Sequence, residues 1–473
     1  MAVARPPASI DAMARTGKHR RIVIAGGGVA ALEALLGIRD VMGEVVEVEL
    51  VSASPEFVYR PVTVTEPFRM GEAPTFALED LAHDLNARLR IDAVTAVDAD
   101  AHVAHTRAGA ELPYDALLAA PGARALSWLN GALTFRGRAD VEALRALLRD
   151  LDAGRLCSLA FAGVPGGSWQ LPLYELALLT ASHVADERLG DVELVLVTPE
   201  DSPLAAFGPR ASDAVRQLLA DRGIQVHAAS YPAEVGDGYL RVVPGQRIPA
   251  DRVVTLPRLE GPRLAGLPQD EDGFIPTDEH GRVGGVDDVY AAGDGTSFPV
   301  KQGGIAAQQA DAAVATLAAS FGVDIAPQPF KPVLRGMLLT GLGPTYLRSD
   351  VSGRAGDDSE ADTRALWWPP AKIAGDRLAP YLAQRISVGR DERLSERHPP
   401  QADDSAVATE RRAARDLFLA LADSEGRWGQ YEEAIRALEA ALALDGTLPP
   451  EYVAKGCEWR AARAAGRTER SES

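Results

Sequence analysis

Residues 21–25, RIVIA, form an apolar run that breaks at once into GGG and resumes as VAALEALLGIRDVMG. A short apolar run bounded by glycine reads as a buried strand, and the spacing of Ala, Leu and Ile that follows reads as a helix. A strand that turns through glycines directly into a helix is the opening half of a βαβ unit, and EVVEVELV supplies the second strand. The same order restarts at LAFAG, residues 159–163, and leads through a helical stretch to VELVLV. The chain therefore has to build two parallel sheets covered by helices, an α/β doubly wound fold that occurs twice.

The glycines of the first turn have a spacing with a use. Gly26, Gly28 and Ala31 give GxGxxA between a strand and a helix. The first glycine permits the tight turn, the second lets a pyrophosphate approach the backbone, and the small third residue allows close helix–strand packing. The helix N-terminus then faces the anion. This makes the first unit a Rossmann-like dinucleotide domain. The acid expected at the end of the next strand, for the ribose hydroxyls, is replaced by Ser52, with Glu56 shortly after it. Much later, DDVYAAGD delivers Asp294 at the end of a short strand, a carboxylate suited to a sugar-like chain.

Between the two units, RLRIDAVTAVDADAHVAHTRAGAELPYDALLAAPGA reads as a β-meander feeding back into the first sheet. After the second unit, VYAAGD, a loop and a long Ala-rich helix return the chain to the first domain. These shifts predict a disordered tail over 1–20, a first cofactor-domain segment over 21–138 and a second Rossmann-like domain over 139–270. The first domain then closes over 271–325, and a C-terminal interface segment spans 326–390. A linker over 391–405 leads to a helical hairpin and tail over 406–473. Trp428, Gly429, Tyr431, Ala434 and Ala441 in that hairpin resemble half of a tetratricopeptide repeat, too little for a solenoid.

The net charge of −18 argues against a nucleic-acid partner and against adsorption to anionic lipid. Apolar runs stay short of a membrane span, and MAVARPPASIDAMARTGKHR lacks the apolar core of a secretion signal, so a cytoplasmic location is expected. Cys157 and Cys457 are too far apart in sequence to form a CxxC pair, and no metal-ligand spacing is present.

GxGxxA near the N-terminus, YDALLAAPG (Tyr114–Gly122) midway and VYAAGD before residue 295 resemble, in order and spacing, the three flavin motifs of the pyridine nucleotide-disulfide oxidoreductases. FVYRP, KQGG and the LRGMLLTG…WWPPAKIAG…LAPYL series make the chain most similar to the sulfide:quinone oxidoreductase and type II NADH dehydrogenase branch. The resemblance covers residues 21 to about 385. It implies FAD with its pyrophosphate on Gly26, Gly28 and Ala31, its adenosine ribose near Ser52, and its ribityl chain on Asp294. The small-residue turn would be Ala120, Pro121 and Gly122. The N–H groups of Gly303, Gly304 and Ile305 would face the flavin's pyrimidine edge, with Lys301 as an added cation.

In relatives that bind a nicotinamide, the second loop carries three glycines and then a glutamate. Here Gly163, Pro165 and Ser168 fill the glycine places, Trp169 intrudes, and Glu175 holds the nicotinamide-facing position. NAD(H) is thus a candidate second cofactor, with Glu200 or Asp201 as ribose ligand, and the loop leaves the question open. No cysteine falls between 158 and 456, which disfavours the thiolate route to sulfide oxidation. Trp169, Trp367 and Trp368 are candidate walls of the flavin or acceptor pocket, and Lys372, Tyr381 and Gln308 its polar candidates. Lys301, Trp169, Glu175 and Lys372 are the catalytic candidates.

The expected function is FAD-dependent transfer of electrons from a donor, NADH among the candidates, to a quinone or other small acceptor. Two other classes stay open: a flavin-bearing interaction protein that docks a partner through 406–473, and a specialised biosynthetic flavoenzyme. A homodimer is compatible with the sequence.

Overall fold

The computed structural model describes residues 20–167, 169–190, 192–351 and 358–386, with positions 415, 419, 422, 431, 434, 435, 437, 438, 441, 442, 448–456, 458, 459 and 462. The tail before Arg20, Ser168, the 391–405 linker, Trp428, Gly429 and Cys457 lie outside these residues. The chain divides into two compact units, with the division after Arg364.

The first unit holds two five-stranded parallel sheets. The first runs in the order Val289–Ala291, Ala116–Ala119, Arg20–Ala25, Val46–Ser52, Arg88–Ile91. Arg20–Ala25 is central: the chain moves outward from it to one side, then returns to fill the other. The strand order reverses between Arg20–Ala25 and Ala116–Ala119, which opens a crevice beyond their carboxyl ends, where a doubly wound sheet binds its ligand. Helix Val29–Met42 and the Ala-rich helix Gly303–Ser320 cover one face, packed so closely that a Cβ on Gly37 would stand 3.4 Å from Val314 Cγ1. The meander read from the alternation is present as Val94–Asp98, Val103–Thr106 and Glu111–Pro113, all antiparallel.

The second sheet repeats the plan in the order Leu133–Thr134, Arg252–Thr255, Ser158–Ala162, Glu193–Val197, Ile224–His227. Its strands are continuous apolar runs because both faces are covered. Helices Val141–Asp152, Leu171–Asp186 and Pro209–Asp221 bury Leu144, Leu173, Tyr174 and Val215 around Phe161 and Phe207. The chain leaves the first sheet through Arg124–Leu126 and comes back through Arg258–Glu260, and these two segments pair with each other as an antiparallel ribbon. A hairpin, Val333–Leu339 with Pro344–Asp350, carries a third strand, Glu360–Asp362.

In the second unit, Trp368 packs with Leu419, Ala422, Ala437, Leu438, Ala441, Leu448 and Val453. Its indole Nε1 donates to Val453 O at 3.4 Å, and Gly456 lies so close that a Cβ there would meet Nε1 at 2.6 Å. The Trp-rich segment and the C-terminal helical positions thus share one core. Trp368, a candidate pocket wall in the sequence, lays its half-buried indole on this core of Leu, Ala and Val side chains.

Phe161 is fully buried at the centre of the second core. Phe161→Ala is expected to lower stability by about 3–5 kcal/mol, read as a clear fall in the urea midpoint of unfolding. A midpoint within error of the parent protein would contradict the packing described.

Candidate cofactor site

Three glycine turns meet at the crevice beyond the first sheet. Gly26 has φ +142°, and a Cβ there would stand 2.0 Å from Ala120 O, so the first turn and the Ala120–Gly122 turn touch backbone to backbone. Gly26 N–H donates to Val51 O at 2.8 Å and Ala120 N–H to Ala25 O at 2.8 Å, which fixes both turns to the ends of their strands. The third turn closes on the same place: a Cβ on Gly293 would stand 3.0 Å from Ala30 Cβ, and one on Gly295 3.1 Å from Gly122 O. Gly28 differs. It is the N-cap of Val29–Met42, with no side-chain cap and nothing within 4 Å of where its Cβ would be. The helix N-terminus therefore opens onto free space, the cradle an anion needs. Ala31, fully buried, packs on the protein side of that helix.

Asp294 sits on the third turn, partly accessible, and makes no hydrogen bond or ion pair among the described residues. Burial pushes its carboxyl above the usual range, opposed by the charges of Lys301 and Arg60. A carboxylate held this deep without a donor is costly unless a ligand supplies one. The turn under it is braced by buried Gln309, whose Oε1 accepts from Gly293 N–H at 2.8 Å while its Nε2 donates to Thr296 Oγ1 at 3.3 Å. Thr296 Oγ1 in turn donates to Gly293 O at 3.0 Å. Gln309, Thr296 and Arg60 escaped the sequence reading. The spacing of QGGIAAQQ around the helix start gives no sign that its last glutamine turns back to the Asp294 loop.

Lys301 is buried rather than solvated. Its ammonium donates to Thr296 O and lies 3.9 Å from the Phe274 ring centroid. Burial brings its pKa down to about 8, against the charges of Asp294 and Asp270. It braces the Asp294 turn from behind. At the start of Gly303–Ser320, neither Gly303 nor Gly304 N–H finds a protein acceptor among the described residues. Ile305 is a correction. Its N–H donates to Gln302 Oε1 at 2.9 Å, because Gln302 is the N-cap, so only the two glycine N–H groups face outward. Ser52 is buried against Gly27 and its hydroxyl is taken up by the Ser54 backbone, donating to Ser54 O at 2.8 Å and accepting from Ser54 N–H at 3.3 Å. Gln308, expected beside the pocket, clamps the hairpin instead, bonding both N–H and C=O of Val333 at 2.9 Å.

The second unit of the motif is built differently. Helix Leu171–Asp186 begins eight residues after strand Ser158–Ala162, whereas Val29–Met42 begins three residues after Arg20–Ala25. Trp169 packs on Phe207, with ring centroids 5.7 Å apart. Glu175 is fully buried and its Oε1 accepts from Leu339 N–H at 2.8 Å, so it holds the hairpin rather than facing a ligand. Glu200 accepts from Tyr174 OH at 2.7 Å and Thr198 Oγ1 at 2.9 Å. Lys372 lies in the second compact unit, apart in sequence from these turns.

Two parallel doubly wound sheets, with glycine turns converging on an unpartnered carboxylate, define the two-dinucleotide-domain flavoprotein class. The chain belongs to the pyridine nucleotide-disulphide oxidoreductase family, which residues 20–316 match, and is an FAD-dependent oxidoreductase. It is 28% identical over 291 residues to an NADH dehydrogenase-like protein of Mycobacterium tuberculosis, covering 58% of this chain and 72% of that one. It is 30% identical over 301 residues to the ferredoxin–NAD(+) reductase component of the biphenyl dioxygenase system of Paraburkholderia xenovorans, covering 60% and 69%. The sulfide:quinone oxidoreductase of Aquifex aeolicus superposes with TM-score 0.67 at 17% identity, over 72% of this chain and 86% of that one, which shows the shared fold. Among the described residues no helix is long and apolar enough to cross a membrane.

The Lys301 environment sets a pH dependence. Its folded pKa, about 8, lies below the ordinary 10.5. Between these values the unfolded chain binds the extra proton, so this group's contribution to stability rises with pH across that window. Below pH 8 the full cost of burying the ammonium is present. The melting temperature of FAD-free protein minus that of Lys301→Met is expected to increase from pH 8 to pH 10. A flat difference would mean that the ammonium is not buried.

Proposed function

We propose that the first crevice holds FAD and that this protein passes electrons from a reductant, through the flavin, to a quinone or another small acceptor. The observation that carries this reading is the half-buried Asp294 carboxylate, without a donor among the described residues, at the meeting point of three glycine turns. The pyrophosphate would be held by the Gly26–Ala31 turn and the open N-terminus of Val29–Met42. Asp294 would accept hydrogen bonds from the ribityl hydroxyls. Gly303 and Gly304 would present their N–H groups, with the positive end of an 18-residue helix, to the flavin's pyrimidine edge. When bound, FAD supplies the two-electron chemistry, and the protein supplies position and electrostatics.

Lys301, Thr296 and Gln309 act as positioning residues, since all three are buried and hold the Asp294 turn through their own hydrogen bonds. The quinone acceptor is supported by the fold shared with a sulfide:quinone oxidoreductase; the names of the 28–30% identical relatives point to NADH as donor, a reading that the second loop opposes. The sites named here, including Gly122, Ala120 and Ser52 at the crevice wall, are part of the same proposal. So is the domain division at 138, 270 and 325.

Purified protein is expected to be yellow. Asp294→Ala removes a charge-assisted hydrogen-bond acceptor worth about 1.5–3 kcal/mol, so FAD affinity should fall at least about tenfold. The ratio of visible flavin absorbance to protein absorbance after gel filtration measures this. A variant that keeps its full flavin complement would remove Asp294 from the site, and a colourless parent protein would sink the flavin reading. Anaerobic reduction followed by addition of a soluble quinone should restore the oxidised flavin band. No re-oxidation would exclude a quinone acceptor.

A further inference from the structure

The loop of the second sheet occupies the place where a second dinucleotide would dock, and its own side chains fill it. Gln170 is buried, and its carboxamide bonds both sides of one residue. Nε2 donates to Val164 O at 2.9 Å, and Oε1 accepts from Val164 N–H at 3.4 Å. Val164 O also accepts from Gly167 N–H at 2.8 Å, so the turn closes on itself. A Cβ on Gly167 would stand 2.2 Å from Gln170 Nε2: the carboxamide lies in the hollow against the glycine backbone. In the first loop a Cβ on Gly28 would meet nothing within 4 Å; in the second only Gly166, at the tip of the turn, is as open, while Gly163 and Gly167 are crowded.

We propose that Gln170 is the specificity-determining residue of this second loop, an internal occupant that closes it to pyrophosphate, so that the electron donor is a reductant without a dinucleotide handle. Three further placements agree. Pro165 removes an N–H from the turn. Glu175, which would meet a nicotinamide, is committed to Leu339 N–H. Glu200, which would meet a ribose, is committed to Tyr174 and Thr198. Phosphate, nicotinamide and ribose contacts are thus each replaced by a contact within the protein. Removing any one replacement leaves a buried polar group without a partner, which is costly, so a dinucleotide cannot displace them cheaply. The eight-residue connection makes this possible, because it sets the helix N-terminus, and its dipole, away from the end of the strand.

This inference deepens the flavin reading by naming the donor class, and it is tested on holoprotein by calorimetric titration with ADP-ribose and with NADH. The parent protein is expected to show no saturable binding of either up to about 1 mM, and NADH is expected to leave the flavin band unbleached while dithionite bleaches it. Gln170→Ala should gain saturable ADP-ribose binding at least about tenfold tighter than the parent's limit. Saturable binding to the parent below about 100 μM, or a folded Gln170→Ala protein as blind to ADP-ribose as the parent, would overturn the proposal. Should Gln170→Ala fail to fold, amide exchange in the parent decides. Protection of Val164 and Gly167 on adding ADP-ribose overturns it, and unchanged exchange supports it. Flavin content, read in the same samples, separates this from the FAD reading: colourless protein sinks the latter and leaves the titration of the second loop standing.

Discussion

The backbone contact between Gly26 and Ala120 is the constraint on which the cofactor crevice depends. A Cβ at Gly26 would overlap the Ala120 carbonyl oxygen, 2.0 Å away, and φ +142° is open only to glycine. Because the two turns touch, the ends of strands Arg20–Ala25 and Ala116–Ala119 stay in register at the point where the strand order reverses. The third turn can then close on Ala30 and Gly122, and Asp294 is carried to the crevice mouth. The cradle at the start of Val29–Met42 depends on that close approach. The open space in front of Gly28 exists because Gly26 and Gly27 have taken the crowded positions.

Around this point the polar groups divide into two kinds. Gln309, Thr296, Gln302 and Lys301 each bond to protein around the loop that bears Asp294. Among the described residues, Asp294 and the N–H groups of Gly303 and Gly304 have no hydrogen-bond partner. Such a division is what preorganisation looks like in an unliganded framework: the supporting groups are satisfied in advance, and the ligand-facing ones wait. The second sheet shows the opposite. There Gln170, Glu175 and Glu200 are all internally satisfied, and nothing comparable to Asp294 faces outward.

How legible this was in the sequence depends on the length scale of the signal. The repeated βαβ order, the meander and the three glycine turns are encoded locally, by apolar runs and glycines at fixed offsets, and the structure contains them. Ile305, Glu175 and Trp169 take their expected places from analogy of position; the Ile305 N–H is taken by a local cap, and the other two side chains turn to partners distant in sequence. Gln302 caps Ile305, Leu339 N–H lies 164 residues from Glu175, and Phe207 offers Trp169 an apolar face. The second loop, left open by its sequence, departs from the first for a definite reason. Counting glycines from Gly163 assumes that the helix follows at once, but the run PGGSWQLP delays it to Leu171, with Pro172 fixed in its first turn.

The ribbon formed by Arg124–Leu126 and Arg258–Glu260 gives the second sheet an unusual topological status. Its outgoing and returning strands lie side by side, so the whole intervening segment, more than a hundred residues, hangs from the first sheet like a pendant on a doubled cord. A doubled cord bends more easily than it twists or slides, since sliding would break the register between the strands. The hairpin contact from Glu175 to Leu339 adds a second point of attachment well away along the chain. With two separated attachments the pendant loses its freedom to swing. The second sheet is thereby tied to the rest of the first unit at two places far apart in the chain, the ribbon and the hairpin.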